Sequence, residues 1–142
     1  MSGRGIKVFK RNNTGSQFSL NQTIAASSSS FACINGDGDF FAFLQGSDME
    51  IYSRNNAGTY DPLHSLSSGS TFMGCTFSED GAFMFLIGTA PQLYKYNGSS
   101  FEHHQNIPQI SSPGMLAKAL FRSPYFIYPE LDGDGNTNIR FF

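Results

Sequence analysis

A stretch of 28 residues in this chain has a diverged copy upstream, and that repetition constrains its fold more than any other feature. Ser70 to Asn97 reads STFMGCTFSEDGAFMFLIGTAPQLYKYN, and Ser28 to Asn55 reads SSSFACINGDGDFFAFLQGSDMEIYSRN. Shifting the chain by 43 residues lays Val8–Gly46 on Ile51–Thr89 without a gap, with nine of 39 pairs identical, against roughly three expected by chance. The matches include Arg11/Arg54, Asn12/Asn55, Gly15/Gly58, Asp37/Asp80, Gly38/Gly81 and Phe40/Phe83. A one-residue slip near Phe31 would instead pair Cys33 with Cys75, leaving the register open by one. A more diverged third copy follows, with Leu93–Tyr96 in the place of Ile51–Arg54 and strands over Leu116–Phe121 and Tyr125–Tyr128. Ile139–Phe142 opens a fourth pass.

Each copy carries β-type signals. Asp37-Gly38 and Asp80-Gly81 sit between apolar runs and mark hairpins, because tight turns need the positive φ that glycine supplies freely. Phe40–Leu44 and Phe83–Ile87 are apolar runs of five, the pattern of a strand buried on both faces. Ile6 and Val8 alternate with Lys7, as a half-exposed strand should. Phe18–Ile24 and Tyr60–Leu66 are the most polar strand of each unit and suit its outer edge. No sustained helical period appears.

Four short strands per unit of about 43 residues is the arithmetic of a propeller blade. Phe77-Ser78-Glu79-Asp80-Gly81-Ala82-Phe83-Met84 resembles the F-S-x-D-G-x-x-L turn of WD40-like and YVTN-type repeats, and Ile51-Tyr52-Ser53-Arg54-Asn55 the strand that follows it. Similar repeats occur in some phage and viral structural proteins. The Gly-His and Trp-Asp dipeptides of strict WD40 repeats are absent from the chain. The expected fold is all-β: one domain of antiparallel four-stranded propeller-like blades, with repeats at 6–48, 49–91 and 92–142, forming an incomplete ring. The strand count gives the last two strands of one blade, two full blades and up to three strands of another. Either the chain belongs to a longer protein, or copies assemble head to tail; a closed three-repeat sandwich is the remaining option.

Composition narrows the partners. A formal charge of -2 and the lack of a basic run argue against nucleic acid, and no apolar run is long enough for a membrane span. The first ten residues, MSGRGIKVFK, lack the uninterrupted apolar core of a secretory signal. Asn12, Asn21 and Asn97 head N-x-[ST] triplets. Cys33 and Cys75 fall at near-equivalent places in two copies, and the expectation is two buried free thiols on corresponding strands rather than a bonded pair.

Among candidate sites, Glu130, Asp132, Asp134 and Asn138 lie in ELDGDGNTN, which resembles the D-x-D-G-D-G-x-x-D calcium loop of FG-GAP-type propellers. Oxygen donors at alternate positions, with glycines for the sharp turn, suit a hard cation; a solvated turn is the alternative. Calcium is the one cofactor suggested. Asn35–Asp39 aligns with the plain hairpin turn at Ser78–Gly81. His103 and His104 are adjacent, so on a strand they point to opposite faces and cannot share a metal. Tyr52, Tyr94 and Tyr96, with Arg11 and Arg54, read either as an exposed recognition stripe or as packing positions. No nucleophile elbow, Walker or dinucleotide motif is present. The expectation is a non-enzymatic structural or interaction module within a larger or self-associated assembly such as a virion, filament or scaffold. The alternative is a secreted or surface domain that binds glycan or protein, assisted by calcium.

Overall fold

The computed structural model describes residues 5–27, 29–67, 72–108, 120–122, 125–131 and 137–141. Among these the chain forms strands and no helix. The first sheet pairs β1 (Gly5–Arg11) with β2 (Phe18–Ala25). The second runs in order through β3 (Ser29–Ile34), β4 (Phe40–Gln45), β5 (Asp48–Arg54) and β6 (Tyr60–Ser67). The third does the same through β7 (Phe72–Phe77), β8 (Phe83–Gly88), β9 (Gln92–Tyr96) and β10 (Phe101–Asn106). The fourth holds β11 (Leu120–Arg122), β12 (Tyr125–Leu131) and β13 (Thr137–Phe141). All pairings are antiparallel. The result is the expected all-β array of propeller-like blades, with no closed ring. Of the strand expected over Leu116–Phe121, residues 116–119 lie outside the described residues.

The Asp-Gly hairpins form, by a longer turn than the dipeptide alone implies. Gly38 and Gly81 have φ of +70°, while among the described residues no other residue type takes positive φ, so Asp37 and Asp80 stay in ordinary conformations. The Gly38 and Gly81 N–H groups donate to the carbonyls of Asn35 and Ser78 at 3.1 and 3.0 Å, each a four-residue turn with glycine last. Side chains then close the strands: the Phe40 N–H donates to Asn35 Oδ1 and the Phe83 N–H to Ser78 Oγ, both at 2.9 Å. A Cβ on Gly81 would lie 2.8 Å from Phe40 Cδ2 of the preceding sheet, so glycine is needed here for space as well as for φ.

Adjacent strand residues point to opposite faces, and β4 and β8 are buried on both. Phe41 and Phe43 pack with Ile24, Ala26, Tyr60, Ile6 and Val8 against the first sheet. Ala42 and Leu44 pack on the other face with Cys75, Phe77, Met84 and Leu86 of the third. Phe85 and Ile87 alternate with these and are also buried, at 0% and 1% exposure. At about 1.5–3 kcal/mol per fully buried large apolar side chain, these two strands anchor the array. Phe40 crosses into the third sheet and meets Tyr96 and Phe101 edge-on, with centroids 4.8 and 5.3 Å away.

The cysteines depart from expectation: Cys33 and Cys75 form a disulfide, with Cα atoms 6.2 Å apart. The ungapped register explains it. Ile34 pairs with Phe41 and Phe77 with Met84, so Phe41 corresponds to Met84, and Cys33 to Thr76 rather than to Cys75. That one-residue offset turns the two thiols to opposite faces of their own sheets. In neighbouring stacked sheets, opposite faces are the ones that meet. Joining residues 42 apart in sequence restricts the unfolded chain by about 2–4 kcal/mol. Reduction, or the double change Cys33→Ala/Cys75→Ala, should lower the urea midpoint by that much stability at a similar slope. An unchanged midpoint on reduction would show that the bond contributes nothing.

Candidate interaction site

The first sheet has only two strands among the described residues, and they correspond to the outer two strands of its neighbours. Val8 pairs with Gln22 as Ile51 pairs with His64, and Phe9 with Leu20 as Tyr52 with Pro62. Both sheets carry the same irregularity between those pairs. Where the second and third sheets have two inner strands, the first leaves one edge of β1 without a partner among the described residues. Beside that strand lies a cavity of about 260 Å³, lined by Ile6, Lys7, Val8, Phe9, Ala32, Cys33, Ile34, Phe41 and Tyr60. Ile34 is 59% exposed there.

Polar contacts fix the outer part of this wall. The Gln22 side-chain amide donates to the Tyr60 carbonyl and accepts from the Tyr60 N–H, both at 2.8 Å, so it stands in for a strand partner. Asn21 Nδ2 donates to the Gly58 carbonyl at 3.0 Å. The Tyr60 hydroxyl donates to the Gly38 carbonyl at 2.6 Å, and burial raises its pKa, which keeps it a donor. Neither β1 nor β2 carries an acid, while β1 carries Lys7, Lys10 and Arg11. Charges of this kind on an open strand discourage indiscriminate pairing. The cavity therefore combines a strand edge without a partner among the described residues, an apolar floor and one cationic side chain, Lys7.

The residues singled out from sequence are dispersed. Glu130 and Asn138 face each other across the β12–β13 pairing, whereas Asp132 and Asp134 lie outside the described residues. His103 meets Tyr94 edge-on and His104 tilts over Phe83, each with centroids 5.8 Å apart. Tyr94 packs toward the second sheet with Met84, and Phe83 is on the alternate face of β8, so the two imidazoles diverge. No group of three or more metal-ligating side chains occurs among the described residues. Tyr52, Tyr94 and Tyr96 are packing residues. Arg11 Nε donates to the Gly15 carbonyl, and Arg54 pairs with Asp39 at 2.5 Å. Asn12 and Asn97 are turn formers, their Oδ1 atoms accepting from the Ser16 and Ser99 N–H groups. No helix among the described residues is long and apolar enough to cross a membrane. The cavity itself escaped the sequence reading, because it is made by strands from three separate segments.

These features coincide with a known architecture. A structure described as a "putative 6-phosphogluconolactonase" from Bacteroides fragilis is similar over 94% of this chain and 50% of its own, with a TM-score of 0.59 and 13% identity. A complex of KlAtg21 with the coiled coil of AgAtg16 is similar over 85% of this chain and 44% of its own, with a TM-score of 0.52 and 11% identity. The fold is propeller-like. The chain spans about half the length of the solved structures it matches. No family model and no curated protein sequence matches it.

One expectation is corrected by this likeness. The lack of a linear catalytic motif led to a non-enzymatic reading, yet the architecture is shared with a protein described as a lactonase. Blade-like sheets can gather reacting groups from several turns, which no contiguous motif would reveal. The argument from missing motifs therefore fails; at 13% identity the likeness conveys the fold and no activity.

The turn beside the inter-sheet contact has a titrating member. The Ser78 hydroxyl at 2.6 Å, and next the Ala82 N–H at 3.0 Å, hold the Asp80 carboxyl below the usual carboxylate range. A depressed folded pKa stabilises at neutral pH, and the gain is lost as pH falls through the folded value. Melting temperature followed from neutral to acid should show this loss, worth less than about 1 kcal/mol for an exposed carboxylate. Asp80→Asn should flatten it; identical profiles would remove the role.

Proposed function

We propose that this chain is a propeller-type protein-interaction module, a unit of a larger or self-associated assembly of the virion, filament or scaffold kind. The observation that supports this reading most is the open edge of β1 above an apolar cavity, at the place where neighbouring sheets carry two further strands. Such an edge is satisfied by another polypeptide more readily than by a small polar ligand, since its backbone donors and acceptors are spaced for a strand. The sequence of the turn at Phe77–Met84 supports a resemblance to WD40-like and YVTN-type repeats. Light scattering from low to high micromolar concentration should give a mass that rises above the 15.6 kDa of one chain. A single species of monomer mass throughout would remove self-association.

A second reading, a cation-assisted ligand-binding domain reading glycan or protein, draws on the cross-strand placement of Glu130 and Asn138 at the two ends of the candidate loop. Calorimetric titration with calcium should then give binding heat that Asp132→Ala and Asp134→Ala each abolish. No heat from the unaltered protein would end this reading.

A further inference from the structure

The first three sheets repeat one aromatic arrangement, which is covered in the second and third and bare in the first. In the second sheet, Tyr52 on β5 and Tyr60 on β6 lie diagonally across the pairing, with Arg54 opposite Tyr60. In the third, Tyr94 on β9 and Phe101 on β10 hold the same places, with Tyr96 opposite Phe101. In the first, the places fall to Phe9 on β1 and Phe18 on β2, with Arg11 opposite Phe18. The correspondence comes from pairing register, each sheet having its irregularity one step inward of the same pair.

In the second and third sheets this pair faces the preceding sheet and is covered by it. Tyr60 packs with Ile24, Phe41 and Phe43, while Tyr94 and Phe101 pack with Ala42, Met49 and Ile51. Tyr60, Tyr94 and Phe101 are 6%, 8% and 1% exposed, against 55% for Phe9 and 67% for Phe18. Leu20, opposite Phe9 on the same face, is 54% exposed. Among the described residues, three of the five exposed large apolar side chains thus share one face of one small sheet. Solitary exposed apolar residues are ordinary, but a contiguous set marks a contact surface.

We infer that the Phe9/Phe18/Leu20 face of the first sheet docks on the β11–β13 sheet of a second copy of this chain, continuing the stacking that joins its own sheets. This rests on the assembly reading above and specifies its surface. The repeat argues for the occupant: wherever this aromatic pair is covered, a sheet of the same kind covers it. The second and third sheets already have both faces engaged within the chain. The fourth sheet stacks beyond the third, β11 lying beside β7 as β7 lies beside β3, and no described sheet follows it. The contact is heterologous, front face to back face, so it either closes into a ring or propagates as a filament.

Phe18→Ser/Leu20→Ser tests the face, because both side chains are already more than half exposed, neither lines the cavity under β1, and their loss should leave folding intact. Light scattering should show self-association weakened at least about tenfold, with an unchanged circular dichroism melt. Phe18→Trp places a single tryptophan in a chain that has none, and its emission should shift to the blue as association proceeds. Should the unaltered protein associate while the double variant associates equally, and the tryptophan stay solvent-exposed, this inference is overturned and the assembly reading survives. A monomer in every condition overturns both.

Discussion

Five apolar residues in a row cannot all be hidden by one neighbour. Alternation sends half of Phe40–Leu44 to each face of β4, so the strand needs apolar cover on two sides, and the same holds for β8. The first sheet covers Phe41 and Phe43, and the third covers Ala42 and Leu44. From that requirement follows a row of sheets stacked face to face, with the interfaces between sheets acting as the core. Each interface joins outer-strand aromatics of one sheet to aliphatics of the sheet before it: Tyr52 and Tyr60 to Ile6, Val8 and Ile24, and Tyr94 and Phe101 to Ala42, Met49 and Ile51. A two-layer sandwich would have left one face of each central strand in water, which this composition of alternating positions does not permit.

Much of this was legible in sequence because it depends on local chemistry. The Asp-Gly turns, the apolar runs and the polar outer strands each announce themselves within a dozen residues. Features that depend on parity between distant segments were harder to read. Cys33 and Cys75 seem equivalent when the copies are slipped by one, and only strand pairing shows that they correspond to opposite faces. The signal was present in the ungapped alignment, which sets Cys33 against Thr76, but nothing local favoured that register over the slip. The cavity under β1 belongs to the same class, as it draws on β1, β3, β4 and β6 at once. Glu130 and Asn138 are placed opposite one another, while the acids between them lie outside the described residues.

Among the described residues, one edge of β1 has no strand partner. A strand edge offers regularly spaced donors and acceptors, and its neighbours satisfy theirs within the sheet. Here the edge is instead bordered by cationic side chains and an apolar hollow. The basic residues lower the chance of mispairing without closing the site, since Lys and Arg can swing aside on their flexible stems. The Gln22 clamp on Tyr60 holds the outer part of the sheet in place while the inner part stays accessible.

The sulfur bridge between β3 and β7 also has a mechanical meaning. Pulling on the two ends of the chain would peel the first and fourth sheets by breaking only weak contacts and ladders. The load would then pass through Cys33 and Cys75, which are 42 apart in sequence, and the segment between them could not lengthen. Residues 34–74, which include β4, β5 and β6, would be bypassed by the tension. The middle of the molecule is in that sense a covalently closed loop, able to bear strain between neighbours on either side without surrendering its own structure.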